Sequence, residues 1–163
     1  AAVSSSTKLT VLAIRKAVRT LKRQNAPMIN GNYVAIVHPD TAFDIMSDST
    51  WVDWQKYTSP EHMYKNEIGQ IAGVRFVETT EAKVFTGAGA SGADVYSTLI
   101  IGEGAYGVTD IAGGGLQTII KQKGSGGTAD PLDQRATVGW KAAKTAEILV
   151  QQYMIRVETG ATA

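Results

Sequence analysis

The chain has 163 residues, 44% hydrophobic and 19% charged, which fits one globular domain and excludes collagen-like, coiled-coil and disordered chains. It has no cysteine, so disulfides, thiolate metal sites and a cysteine nucleophile are out, and no apolar run approaches the ~20 residues of a membrane span. The net charge is +1 but unevenly spread: residues 1–39 hold six basic residues and no acid, so the remainder, with ten basic against fifteen acidic residues, is net −5.

In chain order, the first expected element is a helix from Lys8 to Asn25, with Thr7 as its N-cap. Val11, Ile14, Val18 and Leu21 make one apolar stripe at 3-4-3 spacing. Arg15, Arg19, Lys22 and Arg23 fall on the opposite side. Pro27 is the expected stop, and Asn30-Gly31 a turn. Tyr33 to His38 is β-rich and too short for a helix, so it reads as a buried strand. Asp40 or Thr41 can cap a short helix that runs through Met46. Trp51, Trp54 and Tyr57, at i, i+3 and i+6, suit a second short helix or an ordered loop. Strands are expected from Ile71 to Val77, Val95 to Ile101 and Gln117 to Lys123. Twelve of the 17 glycines fall between 87 and 127, as loops between these strands, with no domain boundary and no internal repeat. Residues 136–158 mix good helix formers with a period-2 run of Val138, Trp140, Ala142, Ala146, Ile148 and Val150. The alternation favours a strand, a tight turn near 149–152, and a last strand from Tyr153 to Val157.

No catalytic set emerges from these positions. The string G-x-G-x-x-G occurs at Gly87, Gly89, Gly92 and at Gly102, Gly104, Gly107. It cradles a pyrophosphate only where a strand runs into a helix N-terminus. The first instance runs into a strand and the second meets Gly113-Gly114-Gly115, so both read as connecting loops. His38 and His62 have no second histidine at metal spacing; the first reads as structural, the second as an exposed turn residue. No serine sits in a nucleophile elbow, and Glu78 and Glu81 read as solvated surface. No catalytic, metal-binding or cofactor-binding residue is therefore expected. Trp51 and Trp54 could stack on bases, but Asp44, Asp48 and Asp53 would repel phosphate; half-buried packing or a subunit contact is the preferred reading. The basic helix face suits a solvated or salt-bridged surface, a nucleic-acid contact, or the acidic face of a neighbouring copy. Taken together, the glycine loops, aromatic anchors and charge polarity point to an α+β domain that contacts copies of itself.

Four stretches carry a resemblance: NGNYVAIVHPDTAFDI within Ala26 to Ser47, EIGQIAGVRFVETTEAKVF from Glu67 to Phe85, VYSTLIIGEGAYGV from Val95 to Val108, and KGSGGTADPLDQRATVGWKAA followed by YMIRVE within Lys121 to Glu158. From about residue 8 to 158 the chain resembles the C-terminal part of a tailed-phage major capsid protein with the Hong Kong 97-type fold. That resemblance implies a long spine helix plus a mixed β-sheet flanked by short helices. Residues 1–163 would be a single compact piece. Residues 8–25 would be the spine helix of the peripheral domain, or its C-terminal part; 33–135 would be mainly axial domain; and 136–158 would be strands returning to the peripheral domain. Family members also carry an N-terminal arm and an E-loop hairpin, both absent here, and no Met stands at position 1, so the chain is expected to be a piece of something longer.

The implied function is structural. Pentamers and hexamers would tile the icosahedral head shell of a tailed bacteriophage, assembled in the bacterial host cytoplasm and found in the virion. The shell would enclose double-stranded DNA without specific grip. Scaffold, portal or decoration proteins are further implied partners, and a membrane is not. The expected subunit-interface residues are Arg15, Arg19, Lys22 and Arg23, Trp51 and Trp54, and Gly87, Gly89 and Gly92, whose loop lets backbones approach around a symmetry axis. A β-branched residue at Gly89 would on this view spoil capsomers and leave the subunit folded. The alternatives are an encapsulin-like shell subunit enclosing enzymes, and a small-molecule binding module using the glycine loops.

Overall fold

An amphipathic helix has to sink its apolar stripe somewhere, and here it settles on one face of a mixed sheet. The computed structural model describes residues 3–55, 68–110 and 114–162. The first helix, α1, spans Val11–Arg23, and Val11, Ile14, Ala17, Val18 and Leu21 are buried along it. It is thirteen residues long, shorter at both ends than the long spine expected over 8–25. The start shifts because Thr10, not Thr7, is the cap: its hydroxyl accepts from Ala13 N at 3.3 Å, while Thr7 Oγ1 accepts from Ser4 N. The stop shifts because Asn25 takes a left-handed conformation (φ 54°). Ala26 N then reaches Leu21 O and Asn25 N reaches Lys22 O, a Schellman ending that closes the helix before Pro27 matters.

Strand β1 (Tyr33–Val37) alternates buried and half-buried residues. His38 follows as the N-cap of α2 (Pro39–Met46), its ring nitrogen accepting from Asp40 N. The cap thus falls on His38 rather than on Asp40 or Thr41, because Pro39 is a favourable first helical residue. Helix α3 covers Ser49–Gln55; Tyr57 and His62 lie outside the described residues. The strand expected from Ile71 to Val77 is instead a hairpin, β2 (Gln70–Ile71) and β3 (Val74–Glu78). Ala72 and Gly73 both take positive φ, 53° and 77°, which makes the two-residue turn that matches strand twist. Then come β4 (Val84–Phe85), which had no sequence signal, and β5 (Val95–Ile101), with the expected bounds.

The main sheet runs β10-β5-β1-β3-β2, where β10 is Met154–Thr159, with β4 also on β5. Strands β1 and β3 are parallel; β5 is antiparallel to β1, β4 and β10. Tyr33, Ala35, Val37 and Ile100 share one face and join the helical stripe in the core, with Ala42 and Ile45 of α2. Each Val, Ile or Leu so buried is worth about 1.5–3 kcal/mol. Tyr33 is buried with its hydroxyl donating to Ala26 O at 2.9 Å, and burial raises its pKa. On the same sheet face, Tyr96 donates to Asp40 Oδ2 at 2.8 Å. That bond first, then burial and the nearby carboxylates, pushes the Tyr96 pKa up to about 12.

Where the sequence suggests no boundary, the backbone groups into two compact units: residues 1–105 with 150–163, and Tyr106–Leu149. The second unit is a hairpin arm of two ribbons. Strand β6 (Tyr106–Asp110) pairs with β9 (Lys144–Ile148), and β7 (Gln117–Lys121) with β8 (Thr137–Lys141), all antiparallel. The period-2 reading of 136–158 is therefore right in kind, but its first strand is broken at Ala142-Ala143. At the base of the arm, Val150 N donates to Ala105 O at 3.2 Å.

Two carboxylates on the α2–α3 passage tie distant segments together. Buried Asp44 accepts from the N–H and the hydroxyl of Thr162, and Lys8 Nζ stands 3.9 Å away. Asp48 accepts from Val11 N at 3.0 Å and from Thr50 N at 2.9 Å, so one side chain caps α1 and α3 at once. Burial alone would raise the Asp48 pKa, but the hydrogen bonds from Val11 and Thr50 outweigh it and hold the carboxyl below its ordinary value.

A group whose pKa is depressed by folding stabilises the fold above its unfolded pKa and loses that contribution as pH falls through the folded value. Asp48→Ala is therefore expected to lower stability by about 1–2 kcal/mol at pH 7, and the gap to the parent chain should close below about pH 4. Urea unfolding of both proteins at pH 7 and pH 3 measures it; an equal gap at both pH values would contradict the role given to the carboxylate. A second expectation concerns Gly89. A Cβ there would stand 2.6 Å from Val3 O and 2.8 Å from Ala93 O, so Gly89→Val should cost the isolated subunit about 1–3 kcal/mol through overpacking. The space around Gly89 is taken by its own chain, so the change would weaken the subunit itself as well as any contact the loop makes. A denaturant midpoint equal to that of the parent chain would refute it.

Candidate assembly surfaces

Burying one stripe of α1 leaves its cations on the outside together. Arg15, Arg19, Lys22 and Arg23, with Val18, line an open groove of ≈ 440 Å³ whose remaining wall is Ala72. The residues fall at i, i+3, i+4, i+7 and i+8, one side of the helix, so the cations flank the buried stripe beside Val18 rather than standing opposite to it,. All four cations are exposed, and no acid lines the groove. None of the four has an ion-pair partner among the described residues. Arg15 with Arg19, and Arg19 with Arg23, are like charges four residues apart, each pair unfavourable by a few tenths of a kcal/mol. Lys22 and Arg23 recover part of that at the negative end of the helix dipole,. A concave surface with four unpaired cations set around Val18 and Ala72 can accept carboxylates or phosphates,.

Sequence reasoning found the four cations and missed Ala72. Gly73 was the available signal for the turn that brings Ala72 to the helix, but alanine in place of the usual asparagine before it hid the hairpin.

The other expected interface residues do not join this groove. Trp51 is half-buried against the core, and its indole N–H points to Ile68 O at 3.4 Å. The side chain of Trp54 lies outside the described residues. In the glycine loop, Gly87 and Gly92 take positive φ, 66° and 77°, and face open space. Gly87 N donates to Asp94 Oδ1 at 2.8 Å, closing the loop. Gly89 lets the Val3 backbone come close, and Ala90 N donates to Val3 O at 2.7 Å. The second glycine string has the same kind of explanation. Gly102 admits Pro27 O at 2.7 Å from where its Cβ would be, and Gly104 makes a turn at φ 71°. Neither string precedes a helix that could hold a phosphate; the first leads to β5 and the second to β6. His38 is used in capping α2 and packs at a tilt against Tyr96, ring centroids 5.1 Å apart. No group of three or more histidine or acidic side chains able to hold a metal occurs among the described residues.

The fold is shared with viral shells. The chain is similar to the capsid protein of cyanophage Pam1, with a TM-score of 0.74 and 17% identity over 99% of this chain and 49% of that one. It is similar to the capsid protein of Ralstonia phage GP4, with a TM-score of 0.66 and 15% identity over 98% and 49%. An encapsulin from Synechococcus elongatus is more distant, at 0.56 and 9% identity over 98% and 52%. The chain thus spans about half the length of the capsid proteins it matches. Among curated proteins, none gives a significant sequence match. The sequence profile of the phage capsid protein family matches residues 2–128, well over half of the chain, and the chain belongs to that family.

Proposed function

We propose that this protein is a major capsid subunit that self-assembles, as pentamers and hexamers, into the icosahedral head shell of a tailed bacteriophage. The observation that carries the reading is family membership over residues 2–128. The likeness of fold is greater to phage capsids than to the encapsulin, which puts a DNA-filled head ahead of an enzyme-filled compartment. On this reading the fold is of the Hong Kong 97 type. Residues 8–25 belong to its peripheral domain, 33–135 mainly to its axial domain, and 136–158 are strands returning to the peripheral domain. The work is mechanical, and no reaction is assigned to any residue. The shell holds double-stranded DNA non-specifically, is assembled in the bacterial host cytoplasm and calls on scaffold, portal or decoration proteins.

Within that function the basic groove on α1 is a joint between subunits. Its four unpaired cations receive carboxylates from a neighbouring copy, whose residues beyond 39 carry a net negative charge. Weak contacts of this kind suffice because closure multiplies them. The competing use, facing packaged DNA, suits the same charges less well, since DNA has to be released without a grip.

The double variant Arg19→Glu/Lys22→Glu, made in the protein produced from its full gene, separates the two uses. Both side chains are exposed, so subunit stability should stay within about 0.5 kcal/mol of the parent. We expect electron microscopy to show few or no closed particles, with DNA absent from the assay. Normal particles that fill poorly with DNA would move the groove to the shell interior. Normal particles that also fill normally would remove it from function. A parent protein that forms no closed particles under any condition, scaffold included, would refute the shell reading itself.

A further inference from the structure

The basic groove on α1 and an acidic turn lie at opposite ends of strand β3. Ala72, the far wall of the groove, stands just before β3. Glu78 ends that strand, and the chain turns back through Glu81 into β4. The five residues of β3 hold the two ends about 17 Å apart. Pairing with β1, Tyr33 beside Val74 and Val37 beside Glu78, keeps that separation fixed. The turn itself is tied down. Thr79 N donates to Val37 O at 3.0 Å, Ala82 N to Thr79 O at 3.4 Å and Glu81 N to Thr79 Oγ1 at 3.2 Å. Glu78, Thr80 and Glu81 are exposed on it. Neither carboxylate has an ion-pair partner among the described residues. The nearby cation, Lys83, rests over the Phe85 ring, 5.7 Å from its centre. By contrast, Asp40, Asp44, Asp48, Asp94 and Glu158 are each held by a hydrogen bond or ion pair within the chain. Glu103 is a single carboxylate at the groove's own end of the sheet, beyond Ile101, which pairs with Val34.

We propose that the Glu78–Glu81 turn of a second copy seats in the α1 groove, its two carboxylates on the groove's cations. The inference rests on the shell reading above, which makes the groove a joint, and it names the segment that fills the joint. Distance selects a second copy as the source. Charges in physiological salt are screened over ~8 Å, about half the separation within one chain, so a chain's own turn cannot neutralise its own groove. Chemistry selects a protein turn over a phosphate backbone. Val18 and Ala72 stand among the cations and offer an apolar contact, and Thr80, between the two glutamates in sequence, brings a methyl group to it. Joined end to end in this way, each copy keeps one groove or one turn open for the next, the head-to-tail pattern that closes rings.

Charge exchange tests the pairing in the protein produced from its full gene. Glu78→Lys/Glu81→Lys sets cations against cations; combined with Arg19→Glu/Lys22→Glu, it restores the attraction with the signs swapped. Denaturant midpoints establish that each variant is folded. Should the lysine pair unfold the turn, Glu81→Lys with Lys22→Glu runs the same cycle at one position on each side. We expect each double variant to lower the yield of closed particles, counted by electron microscopy, at least about tenfold, and the combined variant to return to within about threefold of the parent. A combined variant as defective as the two doubles would overturn the pairing of these segments. Either double variant assembling like the parent would overturn it too, while the parent's closed particles leave the shell reading standing. If the parent associates without closing, sedimentation at low and high salt reads the same cycle. Association lost in each double variant and regained in the combined one would then support the pairing and count against the shell. A parent that stays monomeric at every concentration would refute both.

Discussion

The burial of the α1 stripe against one face of the main sheet is the constraint on which the other features depend. Each large apolar residue on that stripe contributes about 1.5–3 kcal/mol, whereas crowding like charges at i, i+4 costs only a few tenths. The apolar term wins by a wide margin, so the helix has one stable rotation. Arg15, Arg19, Lys22 and Arg23 are thereby held in a row, even though they repel one another. The basic groove is thus a by-product of the core, which explains how a cluster without internal compensation persists in a folded chain.

The sheet supplies the second half of the arrangement. Strand β5 carries β10 along one edge and β1 and β4 along the other, so it is the strand that joins the early and late parts of the sequence. Asp44 and Asp48 tie further segments together through their side chains. They sit on the α2–α3 passage and reach Lys8, Val11 and Thr162, so the start of α1 and the end of the chain are fixed to one short stretch. Two carboxylates therefore hold segments far apart in the sequence against one passage. Glycines at the crossings, Gly89, Gly102 and Gly160, provide the room.

Much of this is legible in the residues. Strand β5 falls where its apolar run predicts, β1 ends one residue early because His38 is drawn into the α2 cap, and the period-2 pattern identifies the last strands against their helix-forming composition. The four groove cations follow from helical periodicity alone. What stays hidden has a physical cause in each case. The Thr10 cap and the Asn25 ending depend on which of two nearby residues wins a local hydrogen bond. The β2–β3 turn carries alanine where asparagine would announce it. Strand β4 is two residues long and exists only because β5 offers a free edge. Tertiary contact also gives Gly89 a close neighbour within its own chain, Val3, which no local pattern announces. The arm escapes notice for a different reason: alternation reveals a face, but not whether anything covers it.

The bond from Val150 N to Ala105 O closes the base of the arm, and β5 and β10, which flank it, are paired from Tyr96–Thr159 to Ile101–Met154. The arm is therefore an insertion between two strands that are already neighbours. Its end-to-end distance is fixed by the sheet, and closing a longer or shorter loop across that gap changes the free energy only logarithmically. Residues can be gained or lost at the tip without disturbing the register of the sheet or the α1 groove. Evolution can thus vary the reach of the arm separately from the body that carries it.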